Sequence, residues 1–301
     1  MMPLIPICFY PLRKIILDDD LDFSQSLLLK LSGQNFTSCN SPEELIRELS
    51  TYKPRLTKSD LIINHPLPAN ATTQHIVNID LEKLAKLLSG HAFHDISVLL
   101  VDYHMPQMTG IDFLNQISHL PIKKALITGE NDYKIAVDSF NSGLIDAYLR
   151  KDDPEFSSKI ANVVSELEWK YFTELSNFIY DIPDFNFLKN ANLLDVFKDY
   201  IEKHHITAFG LIDSMGSFIT QNKHGEKKYL LIRNENQLAE LAKIAEEDGA
   251  SANVIEQLKH GKAIPFFNGK ECWQIPAGEW RDYLFPATNI TGEPGLFWAT
   301  A

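Results

Sequence analysis

Five short apolar runs, each followed by a segment with helical periodicity, dominate residues 13–149. The runs are Lys14–Leu17, Asn35–Cys39, Val98–Val101, Ala125–Thr128 and Ala147–Leu149. Strand-like runs that alternate with helical segments indicate a parallel sheet with helices on both of its faces. The sequence therefore predicts an α/β domain of the doubly wound kind.

The second and third of these runs are separated by a much longer stretch than the others, at about residues 50–95. A strong helix start precedes it, because Ser41 offers an N-cap, Pro42 a first helical residue and Glu44 a capping-box carboxylate. The stretch opens with polar and proline-containing segments and ends in a helix-like run, Leu81–Leu88, closed by Gly90. We interpret it as an insertion on the surface of the first domain.

A second domain is predicted beyond residue 154. Apolar residues from Phe156 to Phe178 follow helical spacing and indicate one long amphipathic helix that leads out of the first domain. From about Asp184 the order is a helix, three short strands with a hairpin turn at Asn222–Gly225, and two more helices. The expected boundaries are residues 1–154 for the first domain with its insertion, 155–183 for the helix and linker, and 184–301 for a smaller α+β domain.

Charge and cysteine content narrow the classes of function. The 301 residues carry a formal net charge of −12, and residues 152–301 alone hold 14 Lys plus Arg against 23 Asp plus Glu, a net of −9. Such a chain repels a phosphate backbone, so a nucleic-acid partner is not expected. The three scattered cysteines favour buried thiols in a reducing compartment, and no export signal or apolar span is found, so we expect a cytoplasmic protein.

Carboxylates follow two of the apolar runs directly. Leu17 is followed by the triplet Asp18–Asp20, and Val101 is followed by Asp102. The fourth run ends in Thr128. The fifth run is followed by Arg150 and then by Lys151. Ligands of open parallel sheets bind at the carboxyl ends of the strands, and convergent carboxylates there need a cation to offset their repulsion. Mg²⁺ suits oxygen ligands of this kind, so the ingredients are those of an aspartyl-phosphate site.

These motifs, in this order, resemble the receiver domain of two-component response regulators over about Arg13 to Leu175. The resemblance implies a flavodoxin-like, five-stranded sheet of order 2-1-3-4-5. It also implies that Asp102 accepts a phosphoryl group, that Lys151 contacts that group, and that Thr128 and Tyr148 form the switch pair. Asp18, Asp19, Asp102 and the backbone carbonyl of His104 would hold Mg²⁺.

Each motif taken alone has a structural explanation. An Asp triplet after a strand favours a helix N-terminus, Gly110 and Met105-Pro106 are turn and packing residues, and Tyr148 is a core aromatic. The chain also departs from the family pattern, because Asp152 rather than proline follows Lys151. His104 would act through its carbonyl, and we expect its ring to modify access to the site.

The resemblance further implies partners: a sensor histidine kinase or phosphotransfer protein as phosphodonor, a possible homodimer on phosphorylation, and an unidentified output partner. We expect no enzyme activity beyond the receiver's own phosphorylation and dephosphorylation. No output motif is recognised after Asp184, so three alternatives stay open: an interaction or ligand-binding domain, a receiver-switched enzyme, and, less favoured, a DNA-binding regulator.

Polar and aromatic side chains in the second domain also have structural explanations. Asp213 and Ser214 fit a turn better than a polar site, and the pair His204–His205 fits a helix end better than a metal site. Four aromatic residues are expected in the core of this domain rather than around a ligand pocket: Trp273, Trp280, Phe285 and Trp298.

Overall fold

The chain forms two compact units in a computed structural model that describes residues 4–54, 57, 62–63, 78–79, 95–129, 133–268, 270 and 272–301. One unit comprises Tyr10–Asp60 and His91–Leu175. The other comprises Met1–Phe9, Leu61–Gly90 and Ser176–Ala301. We refer to them as the first and second units.

The strands and helices are numbered along the chain. The strands are β1 Cys8–Phe9, β2 Arg13–Leu17, β3 Phe36–Cys39, β4 Ile62–Ile63, β5 Asn78–Ile79, β6 Ile96–Asp102, β7 Lys123–Thr128, β8 Ala147–Arg150, β9 Ile206–Leu211, β10 Ser217–Asn222, β11 Lys227–Asn234, β12 Ala263–Pro265, β13 Leu284–Pro286, β14 Thr288–Asn289 and β15 Leu296–Thr300. The α-helices are α1 Leu21–Lys30, α2 Pro42–Ser50, α3 Gly110–Gln116, α4 Tyr133–Asn141, α5 Phe156–Leu175, α6 Ala191–Lys203, α7 Glu235–Glu247 and α8 Ala252–Lys259. Within the described residues, 3₁₀ helices span Pro183–Lys189, Cys272–Gln274 and Ala277–Tyr283.

The sheet of the first unit has the order β3-β2-β6-β7-β8, and all its strand pairs are parallel. Counted along this sheet's own strands, that is the predicted order 2-1-3-4-5. The prediction of a five-stranded, doubly wound sheet is therefore confirmed.

Helices cover both faces of this sheet because its central strands are apolar on both sides. All seven residues of β6 and all six of β7 are buried. On one face the core includes residues of α2 and α3, and on the other it includes residues of α1 and α5. Parallel strands buried on both faces give the continuous apolar runs seen in the sequence.

The N-cap predicted at Ser41 forms at the start of α2. Ser41 Oγ accepts a hydrogen bond from the Glu44 N–H at 3.3 Å, and Pro42 occupies the first turn. The long helix α5 ends at Leu175 rather than running on to Phe178, and its whole length belongs to the first unit.

The second unit has a six-stranded sheet of order β1-β9-β10-β11-β15-β14 and a two-stranded sheet of β12 and β13. Its strand pairs are antiparallel, including the β10–β11 hairpin predicted from the turn at Asn222–Gly225. Together with α6, α7 and α8 this is an α+β unit, as expected.

One domain boundary differs from the sequence analysis. Residues 1–9 were assigned to the first domain, but β1 pairs with β9 and places them in the second unit. The sequence carries no marker of that pairing, because a strand's partner is set by tertiary structure. Of the expected insertion, the structure describes the antiparallel pair β4–β5, and the helix-like Leu81–Leu88 lies outside the described residues.

The aromatic core of the second unit is only partly the expected one. Trp280 is fully buried, and Phe285 and Trp298 are half-buried. Trp273 is 71% exposed, so its assignment to the core was wrong. It lies in the short 3₁₀ helix Cys272–Gln274, none of whose residues is buried.

Candidate functional site

The carboxyl ends of β2 and β6 bring the predicted acidic residues together. These strands are neighbours, with Leu17 paired to Val101, so Asp18 and Asp102 continue from adjacent positions. Asp18, Asp19 and Asp102 each offer a carboxylate oxygen, and these oxygens lie within 4.8 Å of one another. Residues far apart in sequence therefore meet at the edge of the sheet where the fold places ligands.

The three consecutive aspartates have different environments. Asp18 is fully buried, and its Oδ1 accepts a hydrogen bond from the Asp20 N–H at 2.9 Å. Asp20 instead caps α1, since its Oδ1 accepts from the Phe23 N–H at 3.0 Å. The triplet therefore has two roles. Asp20 caps the N-terminus of α1, and Asp18 belongs to the acidic site.

Lys151 lies between two of the carboxylates. Its Nζ is 2.9 Å from Asp18 Oδ2 and 2.8 Å from Asp102 Oδ1. Its backbone N–H donates to the Thr128 carbonyl oxygen at 2.9 Å, which fixes the point where the lysine leaves the sheet. Lys151, which the resemblance places against a phosphoryl group, therefore contacts Asp102, the residue that the resemblance implies as its acceptor.

The site carries excess negative charge. Three carboxylates and one ammonium leave a formal charge of −2. Burial raises the pKa of Asp102, the hydrogen bond from Lys151 opposes that rise, and the nearby charges of Asp18 and Asp19 add to it. Burial would lower the pKa of Lys151, but its hydrogen bonds to Asp102 and Asp18 outweigh burial and hold the pKa above its usual value.

The predicted switch residues lie on neighbouring strands. Tyr148 of β8 pairs with Leu126 of β7, so Thr128, two residues beyond Leu126, faces the same side of the sheet as Tyr148. Thr128 is fully buried, and its Oγ1 has no hydrogen-bond partner among the described residues. Tyr148 is half-buried against the apolar core on that face. A buried hydroxyl without a partner is costly unless a ligand completes it.

The loop after β6 is held close to the site. The Tyr103 N–H donates to the Ile127 carbonyl at 2.9 Å, and the Gly110 N–H donates to the Tyr103 carbonyl at 2.8 Å. A Cβ added at Gly110 would lie 2.2 Å from the carbonyl oxygen of Asp102. His104 is exposed, and its ring lies edge-on to Tyr103 with centroids 4.6 Å apart.

Two residues here were missed or undervalued by sequence reasoning. Sequence reasoning gives Gly110 a general turn and packing role, whereas the backbone of Asp102 approaches it too closely for any side chain. Phe23 was not singled out, yet the Lys151 Nζ lies 4.4 Å from its ring centroid. The only sequence signal for Phe23 is an aromatic residue in the first turn of the helix that follows the Asp triplet.

The donor set fits a hard divalent cation. Carboxylate oxygens are the ligands that Mg²⁺ prefers, and each retains lone pairs beyond the hydrogen bonds just described. A divalent ion would also balance the formal charge of the cluster. Asp18, Asp19 and Asp102 are therefore the residues that would hold Mg²⁺.

Comparison with solved structures extends the resemblance over the whole chain. The Legionella pneumophila response regulator LqsR matches with a TM-score of 0.82 and 28% identity, covering 100% of this chain and 90% of that one. The chain is a response regulator. The match includes the second unit as well as the receiver domain, so LqsR has both parts in common with this protein.

Other solved structures match part of the chain with lower scores. A CheY-like receiver domain protein from Methanospirillum hungatei JF-1 has a TM-score of 0.36 at 19% identity, covering 54% of this chain and 98% of that one. An uncharacterized protein from Neptuniibacter caesariensis has a TM-score of 0.39 at 17% identity, covering 58% of this chain and 97% of that one. No protein-family model and no curated protein matches the chain.

Within the described part of the chain, no helix has both the length and the hydropathy that crossing a membrane requires.

The three cysteines, Cys8, Cys39 and Cys272, are free thiols. Burial raises the pKa of the Cys8 thiol to about 12, so Cys8 is an unreactive core residue.

Proposed function

We propose that this response regulator is controlled by phosphorylation of Asp102 with Mg²⁺ as cofactor. The observation that carries the proposal is the position of Lys151, whose ammonium lies between Asp102 and Asp18 at the carboxyl edge of the sheet. Phosphoryl transfer depends mainly on positioning and on neutralising charge, and this cluster supplies both.

In the proposed reaction a carboxylate oxygen of Asp102 attacks the phosphorus of a phosphohistidine. A P–O bond forms to Asp102 while the P–N bond breaks, and the imidazole leaves with a proton. Lys151 balances charge on the transferred oxygens, and Asp18, Asp19 and Asp102, with the carbonyl of His104, would hold the cation. Mg²⁺ supplies additional neutralisation of the phosphoryl oxygens.

The switch would use the two residues on β7 and β8. A phosphoryl group adds strong acceptors, and the buried Thr128 hydroxyl, which lacks a partner among the described residues, can donate to one of them. Movement of Thr128 changes the space beside Tyr148 on the same face of the sheet. The phosphoryl group would then shift the populations of two packings of Tyr148.

The partners follow from this assignment. A sensor histidine kinase or phosphotransfer protein would donate the phosphoryl group in the cytoplasm, and a homodimer on phosphorylation is one possible result. We propose an interaction or ligand-binding role without enzyme activity for the second unit. DNA is disfavoured as its partner because residues 152–301 carry a formal net charge of −9. Turnover of a metabolite by the chain would favour a receiver-switched enzyme instead.

The test is phosphorylation by a small-molecule donor. Purified protein is incubated with acetyl phosphate and MgCl₂, and its intact mass is measured. We expect wild type and the control Asp112→Asn, which changes an exposed carboxylate at the start of α3, to gain a phosphoryl group. Asp102→Asn should gain none. An unmodified wild type, or equal labelling of Asp102→Asn, would overturn the proposal.

A further inference from the structure

The ammonium of Lys151 has a third close neighbour besides its two carboxylates. The face of the Phe23 ring lies against it, with 4.4 Å between Nζ and the ring centroid. The face of an aromatic ring carries partial negative charge and attracts an ammonium within about 6 Å. A phenyl ring, unlike a water molecule, offers that attraction without forming hydrogen bonds that would have to be broken.

The ring is itself held in place from two sides. The Phe23 N–H donates to Asp20, the N-cap of α1, so the backbone of Phe23 is fixed in the first helical turn. The ring packs against Phe156 of α5, with centroids 5.9 Å apart, at the edge of the core on that face. The aromatic face therefore has a fixed position relative to the strand ends.

The lysine needs such support because it is partly exposed. The side chain of Lys151 is 28% exposed, whereas those of its partners Asp18 and Asp102 are 0% and 6% exposed. A flexible lysine stem can swing out and exchange its carboxylates for water. A ring against the ammonium limits that movement and keeps Nζ between the two carboxylates.

We propose that Phe23 is a positioning residue for phosphoryl transfer, holding the Lys151 ammonium against Asp102 through its aromatic face. This rests on the proposed function, in which Lys151 balances charge on the phosphoryl group. Phe23 does not touch the reacting atoms and acts only through the lysine.

The test compares Phe23→Leu, which keeps an apolar side chain but loses the aromatic face, with Phe23→Tyr, which keeps that face. A matched control is Phe36→Leu. Phe36 packs at the edge of the same core, and its ring lies 5.9 Å from the Nζ of another lysine, Lys14, away from the site. The rate of Asp102 phosphorylation by acetyl phosphate is measured for each full-length protein.

We expect Phe23→Leu to take up phosphate about fivefold more slowly, Phe23→Tyr to restore the rate, and Phe36→Leu to stay within about twofold of wild type. A second readout is the NMR shift of the Lys151 ε-methylene protons. The ring current should move them upfield in wild type and in Phe23→Tyr, but not in Phe23→Leu.

The outcomes separate the two proposals. If wild type takes up no phosphate, the proposed function fails, while the ring-current shift still reports whether Phe23 lies over Lys151. If wild type is phosphorylated and Phe23→Leu matches it or matches Phe36→Leu, the role of Phe23 is overturned. Failure of Phe23→Tyr to restore the rate would equally overturn a role for the aromatic face.

Discussion

The two edges of the receiver sheet both contain buried charges, but they balance them differently. At the amino edge, Lys14 and Glu168 form an ion pair at 2.7 Å with side chains 2% and 9% exposed, and Ser97 donates to the same carboxylate. At the carboxyl edge, Lys151 pairs with Asp18 and Asp102, and Asp19 adds a third carboxylate to the cluster.

The difference separates a structural cluster from a ligand site. A buried charge is tolerated when it is paired and hydrogen-bonded, as Lys14 and Glu168 are. The carboxyl edge has excess negative charge and, at Thr128, a buried hydroxyl with no partner in the described chain. Excess charge and an unpartnered hydroxyl are typical of a site where a bound ligand supplies the missing charge and hydrogen bonds. Of the two edges, the carboxyl edge is therefore the candidate site.

The largest effect is expected from breaking the balanced pair. Lys14→Met leaves Glu168 buried without its counter-ion, which should lower the free energy of unfolding by about 4 kcal/mol at neutral pH. The loss should shrink in acid, because burial already raises the pKa of Glu168 and protonation removes the unpaired charge. Urea unfolding of the full chain at neutral and at acidic pH measures both losses of unfolding free energy.

The double variant Lys14→Met, Glu168→Leu is the control. It removes both charges and should recover most of the stability, since an apolar pair of similar volume replaces the ions. If the double variant were as unstable as Lys14→Met, packing rather than charge balance would explain the loss.

The next largest effect is expected at Gly110. An alanine there would place its Cβ 2.2 Å from the Asp102 carbonyl oxygen, so the loop after β6 must shift. We expect Gly110→Ala to lower the free energy of unfolding by about 3 kcal/mol and to slow phosphorylation of Asp102. Gly278→Ala is the control, because a Cβ there meets nothing within 4 Å. Equal stability of the two variants would contradict the close approach.

The contrast between the edges also shows what the sequence could predict. Asp18, Asp102, Thr128 and Lys151 were found because each lies at the end of an apolar run, and parallel strands collect such ends at one edge. The strand order, likewise, agrees with the resemblance carried by those motifs.

What the sequence did not predict depends on contacts between distant segments. The pairing of β1 with β9 and the ring of Phe23 over Lys151 have no local pattern. Lys14 falls within an apolar run and gives no sign of its partner Glu168 on α5, and Trp273 is as aromatic as the buried Trp280. Periodicity fixes which face a residue occupies, but not which residue it meets there.

A smaller effect, dependent on pH, is expected from Asp146 beside the start of β8. Burial alone would raise the pKa of Asp146, but the hydrogen bond from Lys170 and the charge of Lys123 outweigh burial and hold it below its usual value. A carboxyl whose pKa is lowered by folding stabilises the fold above its unfolded pKa, and that contribution is lost as pH falls through the folded pKa.

Asp146→Asn should therefore lower the free energy of unfolding by about 2 kcal/mol at pH 7, with the difference from wild type shrinking below about pH 4. Urea unfolding across this range measures it. The control Asp153→Asn removes a partly exposed partner of Lys159 and should change stability little. A difference between Asp146→Asn and wild type that stays constant with pH would show that the ion pairs of Asp146 are not its source.

The smallest effect is expected when Mg²⁺ is added, which tests the acidic cluster at the carboxyl edge directly. A ligand that binds only the folded state raises the free energy of unfolding by RT ln(1 + [L]/Kd), about 1.4 kcal/mol at a tenfold excess over Kd. Mg²⁺ added to chelator-treated wild type should produce a shift of this size in urea unfolding.

Asp102→Asn removes one ligand and one negative charge, so its shift should be smaller. The paired variant Lys14→Met, Glu168→Leu changes only the amino edge and should keep the full response. Equal responses in all three proteins would mean that Mg²⁺ acts through general screening, and the excess charge between Asp18 and Asp102 would then need a different ligand.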